Sequence, residues 1–149
     1  MVLYIKDDGI THINIYSKGK TELGRYLSNF TQCGLLTEDG SFESIEGYWY
    51  WLTSKDNKLR SLYGWEAKEY GRRSGGKDWL DDSDFKRKIC SAITYKIKTM
   101  PFELWTQFYS SETPFKHYYV YNDKIVEPKD GKWIVDHITQ VRGNNEVNG

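Results

Sequence analysis

Apolar side chains recur with a helical period in the middle of the chain. Between Phe85 and Ile97 they stand at every fourth position, which is the spacing of one buried helix face. Ser83 offers a side-chain oxygen as N-cap, and Pro101 cannot continue a helix. The pattern therefore predicts a long helix over residues 83–99.

A second helix is predicted where the chain is richest in aromatic residues. Ser44 is a suitable N-cap for a helix from Ile45 to about Trp51. Weaker patterns predict strands at 13–16 and 118–121, turns at 38–41 and 122–123, a basic glycine-rich loop at 72–77, and helices at 59–70 (ended by Gly71) and 102–109. The segment 132–142 is compatible with a strand or a helix, and its apolar spacing favours a helix.

These elements predict an α+β fold, formed as a compact single domain that is mainly helical with a few short strands. The domain is expected to cover residues 1–142. The polar segment 143–149 is expected to be a flexible C-terminal tail.

The composition narrows the classes of partner. Lys and Arg number 21, and Asp and Glu number 21, so the formal net charge is zero. This argues against a surface that binds nucleic acid by bulk charge. Aromatic residues make up 16% of the chain, and such rings line pockets that stack bases or sugars.

Other features bear on location and cofactors. No apolar run is long enough for a membrane span, and the N-terminal residues do not have the pattern of a signal peptide. Cys33 and Cys90 are expected to be free thiols, so we expect a cytoplasmic protein without a membrane partner. The sequence has no phosphate-binding P-loop, no dinucleotide fingerprint and no metalloprotease motif, and its three histidines lie far apart. We expect neither a metal nor a cofactor.

Three residues could carry chemistry or could be ordinary structural residues. Glu46 lies within the aromatic segment 45–51; burial would suit it for acid/base work, whereas exposure would make it a plain surface residue. Asn29 is able to bind a base edge or to form a turn. Trp79 is equally suited to stack on a ligand or to anchor the core.

Basic residues gather on predicted loops, where they would clamp a diphosphate or serve only to keep the surface charged. These residues are Lys18, Lys20, Arg25, Arg72, Arg73 and Lys77.

The order and spacing of several elements over residues 13–142 resemble the NADAR family. The elements are Asn14-Ile15-Tyr16, Leu27-Ser28-Asn29-Phe30, residues 40–48 with Glu46 two positions before Tyr48, Ala67-Lys68-Glu69-Tyr70-Gly71-Arg72, Lys77-Asp78-Trp79 ahead of the long helix, and a final helix ending in Arg142. Asp123 matches a family position more loosely. Residues 16–25 are similar to versions carried by tailed bacteriophages. The segment 126–133 departs from the family's usual glycine-rich segment.

The resemblance implies an enzyme, a hydrolase that cleaves N-glycosidic bonds. One implied substrate is ADP-ribose attached to guanine bases of nucleic acid, with DNA as the expected nucleic acid. Its removal would reverse a toxin's modification and serve a phage against host defence. Another is a ribosylated intermediate of riboflavin synthesis. A non-catalytic module that binds ADP-ribose or a related nucleotide is a third reading. Oligomeric state is left open.

The resemblance also implies roles for individual residues. Glu46 would be the general acid/base or would stabilise the sugar cation, and Asp123 would be the second carboxylate. Lys20 would be the nucleophile of an alternative Schiff-base route. The implied substrate-binding residues are Lys18, Arg25, Ser28, Asn29, Phe30, Tyr48, Gly71, Arg72 and Trp79.

Overall fold

The computed structural model describes residues 2–148, which divide into two compact units. The terminal unit comprises the chain up to Ser28 and from Met100 onward, and the central unit is Asn29–Thr99. The elements in chain order are β1 (Ile13–Asn14), α1 (Glu22–Leu27), β2 (Leu35–Thr37), β3 (Gly40–Phe42), α2 (Ile45–Ser54), α3 (Gly64–Arg73), α4 (Ser83–Lys98), α5 (Phe102–Ser110), β4 (Phe115–Lys116), β5 (Tyr119–Tyr121), β6 (Lys124–Val126) and α6 (Lys132–Asn148). Short 3₁₀ helices occupy Ile5–Asp7 and Asn57–Ser61.

In the central unit, α2 begins where the sequence predicted. The Ser44 hydroxyl accepts a hydrogen bond from the Gly47 N–H at 2.9 Å, so it caps the first turn. The predicted turn at 38–41 lies in the β2–β3 hairpin. The long helix α4 is confirmed over Ser83–Lys98, but its N-cap is Asp82, whose carboxylate accepts from two backbone N–H groups.

The helix predicted at 59–70 is confirmed only from Gly64 onward, since a 3₁₀ turn and an extended break precede α3. Leu62 is extended, and its carbonyl accepts a hydrogen bond from the Ser44 hydroxyl at 2.9 Å. Gly64 then has φ of +62°, which favours glycine, and its N–H donates to the Phe30 carbonyl at 2.9 Å. Tertiary hydrogen bonds thus outweigh the local helical pattern.

The predicted loop at 72–77 and the predicted helix end at Gly71 are also corrected. Helix α3 continues through Gly71 to Arg73, and the loop begins at Ser74. Gly71 is a packing residue here, because a Cβ at its position would stand 2.3 Å from Cγ of Tyr50. The helix therefore approaches the Tyr50 ring as closely as only glycine allows.

In the terminal unit, β1 and β4 pair in parallel, with Ile13 opposite Phe115 and Asn14 opposite Lys116. The buried Asn14 side chain accepts from the Tyr118 N–H and donates to the Tyr118 carbonyl, both at 3.0 Å. These bonds extend the connection between the two chain segments beyond the short strands. The strand predicted at 13–16 is therefore present but shorter.

Helix α1 was not predicted from the sequence. The Thr21 hydroxyl caps α1 by accepting from the Gly24 N–H, and Ser28 is its C-cap. Gly24 lowers helix propensity, but a Cβ there would stand 2.3 Å from the Asn14 carbonyl oxygen. Close packing against β1 explains why this position is glycine.

The end of the chain is more regular than predicted. The helix expected at 132–142 is confirmed, but α6 continues to Asn148, so residues 143–148 are helical and not an irregular tail. The flexibility of this segment stays a prediction, and Gly149 lies outside the described residues. The predicted turn at 122–123 connects β5 to β6, with positive φ at both positions.

The α+β class with helices in the majority is confirmed. A single domain over residues 1–142 stays a prediction. Within residues 2–148, no helix is both long enough and apolar enough to cross a membrane. Cys33 and Cys90 are both free thiols.

Candidate active site

Glu46 is the second residue of α2 and belongs to the buried set of the central unit. Its side chain and backbone are together only 9% exposed, and its N–H donates to the Asn29 carbonyl at 3.0 Å. Burial among apolar neighbours raises the pKa of the Glu46 carboxyl from 4.5 to about 7. Nearby positive charges on Lys68 and Arg72 oppose this increase, and the negative charge on Asp78 adds to it.

The oxygens of the Glu46 carboxyl have no hydrogen-bond or ion-pair partner within the described protein. Among the side chains that the structure describes, residues 2–144, none forms a hydrogen bond or ion pair with these oxygens. A buried carboxyl with a pKa near neutrality and no internal partner is able to donate a proton to a substrate or accept one. The sequence left burial and exposure of Glu46 open, and the structure shows that it is buried.

One hydrogen-bonded group joins Arg72, Asp78 and Tyr50, and the charges of Arg72 and Asp78 act on the Glu46 carboxyl. Arg72 donates from Nε to Asp78 Oδ1 and from Nη2 to Asp78 Oδ2, both at 2.8 Å. The Tyr50 hydroxyl donates to Asp78 Oδ1 at 2.7 Å. The Arg72 guanidinium holds the pKa of the Asp78 carboxyl below its usual range, so Asp78 stays ionised. This group fixes the loop after α3 against α2 and α3.

The loop itself has little room around the Tyr50 ring. A Cβ on Gly76 would lie 2.8 Å from the Gly71 carbonyl oxygen and 2.8 Å from Tyr50 Cδ1, and the Gly76 N–H donates to that carbonyl at 2.8 Å. The two glycines thus let the loop fold back over Tyr50, which brings Asp78 to Arg72. Gly71 consequently shapes the site through packing.

Lys68 and Trp65 lie one helical turn apart on α3. The Lys68 ammonium is 5.8 Å from the centre of the Trp65 ring, and its charge lowers the pKa of Glu46. Trp65 is 60% exposed and Trp79 is 49% exposed. The core alternative for Trp79 is therefore wrong, and an exposed ring there is available for stacking on a ligand.

Several predicted site residues have structural roles in the central unit. Tyr48 is fully buried, its ring lies 4.6 Å from the Phe42 ring, and its hydroxyl donates to Asp39 at 2.7 Å. This corrects its predicted contact with substrate, because a ring without exposed surface supports the core. Asn29 and Phe30 offer their carbonyl oxygens to the N–H groups at the start of α2 and α3.

The remaining predicted residues belong to the terminal unit. Lys18 and Lys20 are exposed, and Arg25 donates to the carbonyls of residues 19 and 20 at 2.9 Å, so it braces this loop. Ser28 is buried. Asp123 is exposed in the β5–β6 turn with φ of 61°. The structure brings Glu46, Arg72, Gly71, Trp79 and Asn29 into one unit; the roles of Lys20 and Asp123 stay predictions.

Three residues of the site were not identified from the sequence: Lys68, Asp78 and Tyr50. Lys68 had a usable signal, since it precedes Arg72 by four positions and shares its helix face. Asp78 had no sequence signal, because its contact with Arg72 depends on the path of the loop, which Gly71 and Gly76 allow to pack closely on Tyr50. In the part of the chain whose side chains are described, residues 2–144, no group of three or more His, Cys, Asp or Glu is arranged to hold a metal ion.

Comparison with known proteins supports the fold. No protein-family model and no curated protein sequence matches the chain. Among solved structures, it is similar to the NMR structure of the E. coli protein YbiA, with a TM-score of 0.66 and 15% sequence identity. The match covers 98% of this chain and 95% of that chain. The chain therefore shares the fold of that protein.

Proposed function

We propose that the protein is a hydrolase that cleaves the N-glycosidic bond between ADP-ribose and guanine bases of nucleic acid. The observation that carries the proposal is the Glu46 carboxyl: buried, without an internal partner, and shifted to a pKa of about 7. The resemblance to the NADAR family, the fold shared with YbiA and the two cationic side chains around Glu46 support it.

The chemistry requires one proton donor and one water molecule. As the C1′–N bond breaks, its electron pair goes to the base nitrogen, and protonated Glu46 donates a proton to that leaving base. Water adds to C1′ and its proton returns to the Glu46 carboxylate, so the products are ADP-ribose and the repaired guanine. A carboxyl with a pKa near 7 serves both steps because it exchanges a proton readily at neutral pH.

Cations near the carboxyl fit a substrate that carries a diphosphate. Arg72 presents a planar guanidinium, although Asp78 already binds its Nε and Nη2, and Lys68 adds a second positive charge. The exposed rings of Trp65 and Trp79 suit stacking on bases that flank the target. With zero net charge, such contacts to nucleic acid would be local.

In its biological setting, the reaction would remove a toxin's ADP-ribose from DNA, as a phage counter-defence in the host cytoplasm. The test uses two substrates: an oligonucleotide ADP-ribosylated on guanine, and a ribosylated riboflavin-pathway intermediate. Mass spectrometry is expected to detect free ADP-ribose and the unmodified oligonucleotide. If only the riboflavin intermediate is cleaved, that intermediate and not ADP-ribosylated guanine is the substrate. If both compounds bind and neither is turned over, the proposal that the protein is an enzyme is wrong.

Lys20 and Asp123 belong to the proposal as secondary roles. In a Schiff-base route, the Lys20 amine would add to C1′ of a ring-opened ribose, and the C1′–N bond to guanine would break as the base leaves with a proton from the amine. Water would then hydrolyse the resulting imine, which releases ADP-ribose and restores the lysine amine. Borohydride reduction during turnover would then leave a covalent ADP-ribose adduct on Lys20. Wild-type protein that turns over substrate without any trapped adduct would leave direct hydrolysis as the route.

A further inference from the structure

The terminal unit contains a cavity that the proposed chemistry does not use. Its volume is about 760 Å³, within the range of small-molecule sites. Its wall is apolar in one part, with Leu3, Ile125 and Val135. The segment after β6, which departs from the NADAR sequence pattern, supplies Pro128, Lys129 and Gly131 to its rim.

The rim carries more positive than negative side chains. Lys116, Lys129 and Lys132 line the cavity together with Glu127 and Asp136. Lys132 is already paired, since its ammonium lies 2.9 Å from Asp136 Oδ2. Among the side chains described, residues 2–144, none forms an ion pair with Lys116 or Lys129, so these charges are available to an anion.

His117 supplies a directional acceptor at the same cavity. Its Nδ1 is 2.6 Å from the Ile15 carbonyl oxygen, and because a carbonyl only accepts, Nδ1 carries the hydrogen. Burial lowers the pKa of His117, so the ring is neutral at pH 7 and Nε2 is an acceptor. The Cδ2 edge of the ring, next to Nε2, faces Gly131, where a Cβ would lie 3.4 Å from Cδ2.

These features together fit a ligand with an apolar body, an N–H donor and an anionic end. We propose that the cavity binds a 6-aminopurine nucleotide, with the purine against Leu3, Ile125 and Val135, the amino group donating to His117 Nε2, and the phosphate between Lys116 and Lys129. The site belongs to the terminal unit, and none of its residues is part of the group around Glu46.

The direct test is calorimetric titration of the full chain with adenosine 5′-monophosphate. We expect saturable binding to the wild-type protein, at least about tenfold weaker binding of adenosine, and no comparable binding of inorganic phosphate alone. Purine riboside 5′-monophosphate lacks the 6-amino group and is expected to bind several-fold more weakly. Equal affinity for adenosine and its monophosphate would contradict the role of the lysines.

Charge-reversal variants locate the site. The double variant Lys116→Glu with Lys129→Glu should weaken binding of the monophosphate at least about tenfold. Lys124→Glu, the same charge change on the neighbouring hairpin but outside the cavity, should leave binding unchanged. Lys129→Gln, at an exposed position, gives a milder variant if the double variant does not fold.

An adenine nucleotide is also half of ADP-ribose, so the monophosphate could bind at the proposed glycohydrolase site. The variant Glu46→Gln distinguishes binding at that site from binding in the cavity. We expect this variant to bind the monophosphate as the wild type does, whether or not the protein has the proposed glycohydrolase activity. No saturable binding, or binding that Glu46→Gln alone abolishes while the lysine variants retain it, would overturn the cavity proposal.

Discussion

The Arg72 guanidinium and the Asp78 carboxylate meet in a two-point contact, Nε to Oδ1 and Nη2 to Oδ2, each 2.8 Å long. Their side chains are 48% and 53% exposed, so the ion pair adds little to the free energy of unfolding. Its consequence is positional: it holds the loop after α3 beside a helix that carries Glu46, and Tyr50 joins the same carboxylate.

We predict that Arg72→Lys lowers the rate of ADP-ribose release while changing the free energy of unfolding by less than about 1 kcal/mol. Lysine keeps the charge but cannot form the planar two-point contact, so Asp78 and the following loop are held less firmly. Arg73→Lys is the matched control, because Arg73 is exposed and pairs with Glu69. Steady-state kinetics and urea unfolding measure both effects. Equal rates for the two variants would refute a special role for the contact.

Removing the positive or the negative charge near Glu46 should shift the pH–rate profile of the enzyme in opposite directions. Lys68 lowers the pKa of Glu46 and Asp78 raises it. If the protonated carboxyl is the active form, Lys68→Gln should move the alkaline limb of the pH–rate profile to higher pH, and Asp78→Asn should move it to lower pH. Lys77→Gln removes a charge from the same loop and should leave the limb in place. Shifts in the same direction for both variants would exclude Glu46 as the group that titrates.

Glu46→Gln should stabilise the protein in a pH-dependent manner. Because the folded protein raises the pKa of Glu46 from 4.5 to about 7, the favourable protonated state is fully present below pH 4.5 and is lost as pH rises through 7. Above pH 7 the free energy of unfolding of the wild type should therefore fall by about 3 kcal/mol relative to that of the glutamine variant, which has no such ionisation. Urea unfolding at pH 5 and pH 8 measures this. A stability difference that does not grow with pH would count against the buried carboxyl.

Gly71→Ala should destabilise the central unit by at least about 1–3 kcal/mol, since the added Cβ would stand 2.3 Å from Cγ of Tyr50. Gly143→Ala is the control: it is also a glycine within a helix, but its Cβ would meet nothing within 4 Å. That change should stabilise by about 0.5–1 kcal/mol through helix propensity. Thermal unfolding distinguishes the two variants, and a neutral Gly71→Ala would show that Tyr50 has room to move.

The parts of the fold that the sequence predicted are those governed by local chemistry. Ser44 caps α2 through its own hydroxyl, and the four-residue apolar period of α4 is a property of one helix. The first part of the helix predicted at 59–70 failed for the opposite reason. Its break at Leu62 is held by a hydrogen bond from Ser44, which is 18 positions away and has no signature in the local pattern.

The same distinction applies to the site. The aromatic and apolar residues around Glu46 in the sequence indicated that it could be buried, but they did not decide between burial and exposure. The network of Asp78 with Tyr50 and Arg72 was not predictable, since it depends on Gly71 and Gly76 letting a loop fold onto a ring. Exposure of Trp79 was left open because a lone tryptophan after a loop fits either environment.

The most direct measurement is the rate of ADP-ribose release from an oligonucleotide ADP-ribosylated on guanine, followed by mass spectrometry for the wild type and Glu46→Gln side by side. We expect the wild type to release free ADP-ribose and to restore the oligonucleotide. We expect a folded Glu46→Gln variant to release ADP-ribose at least about a hundredfold more slowly. Release by Glu46→Gln at a rate close to that of the wild type would contradict the proposed role of Glu46.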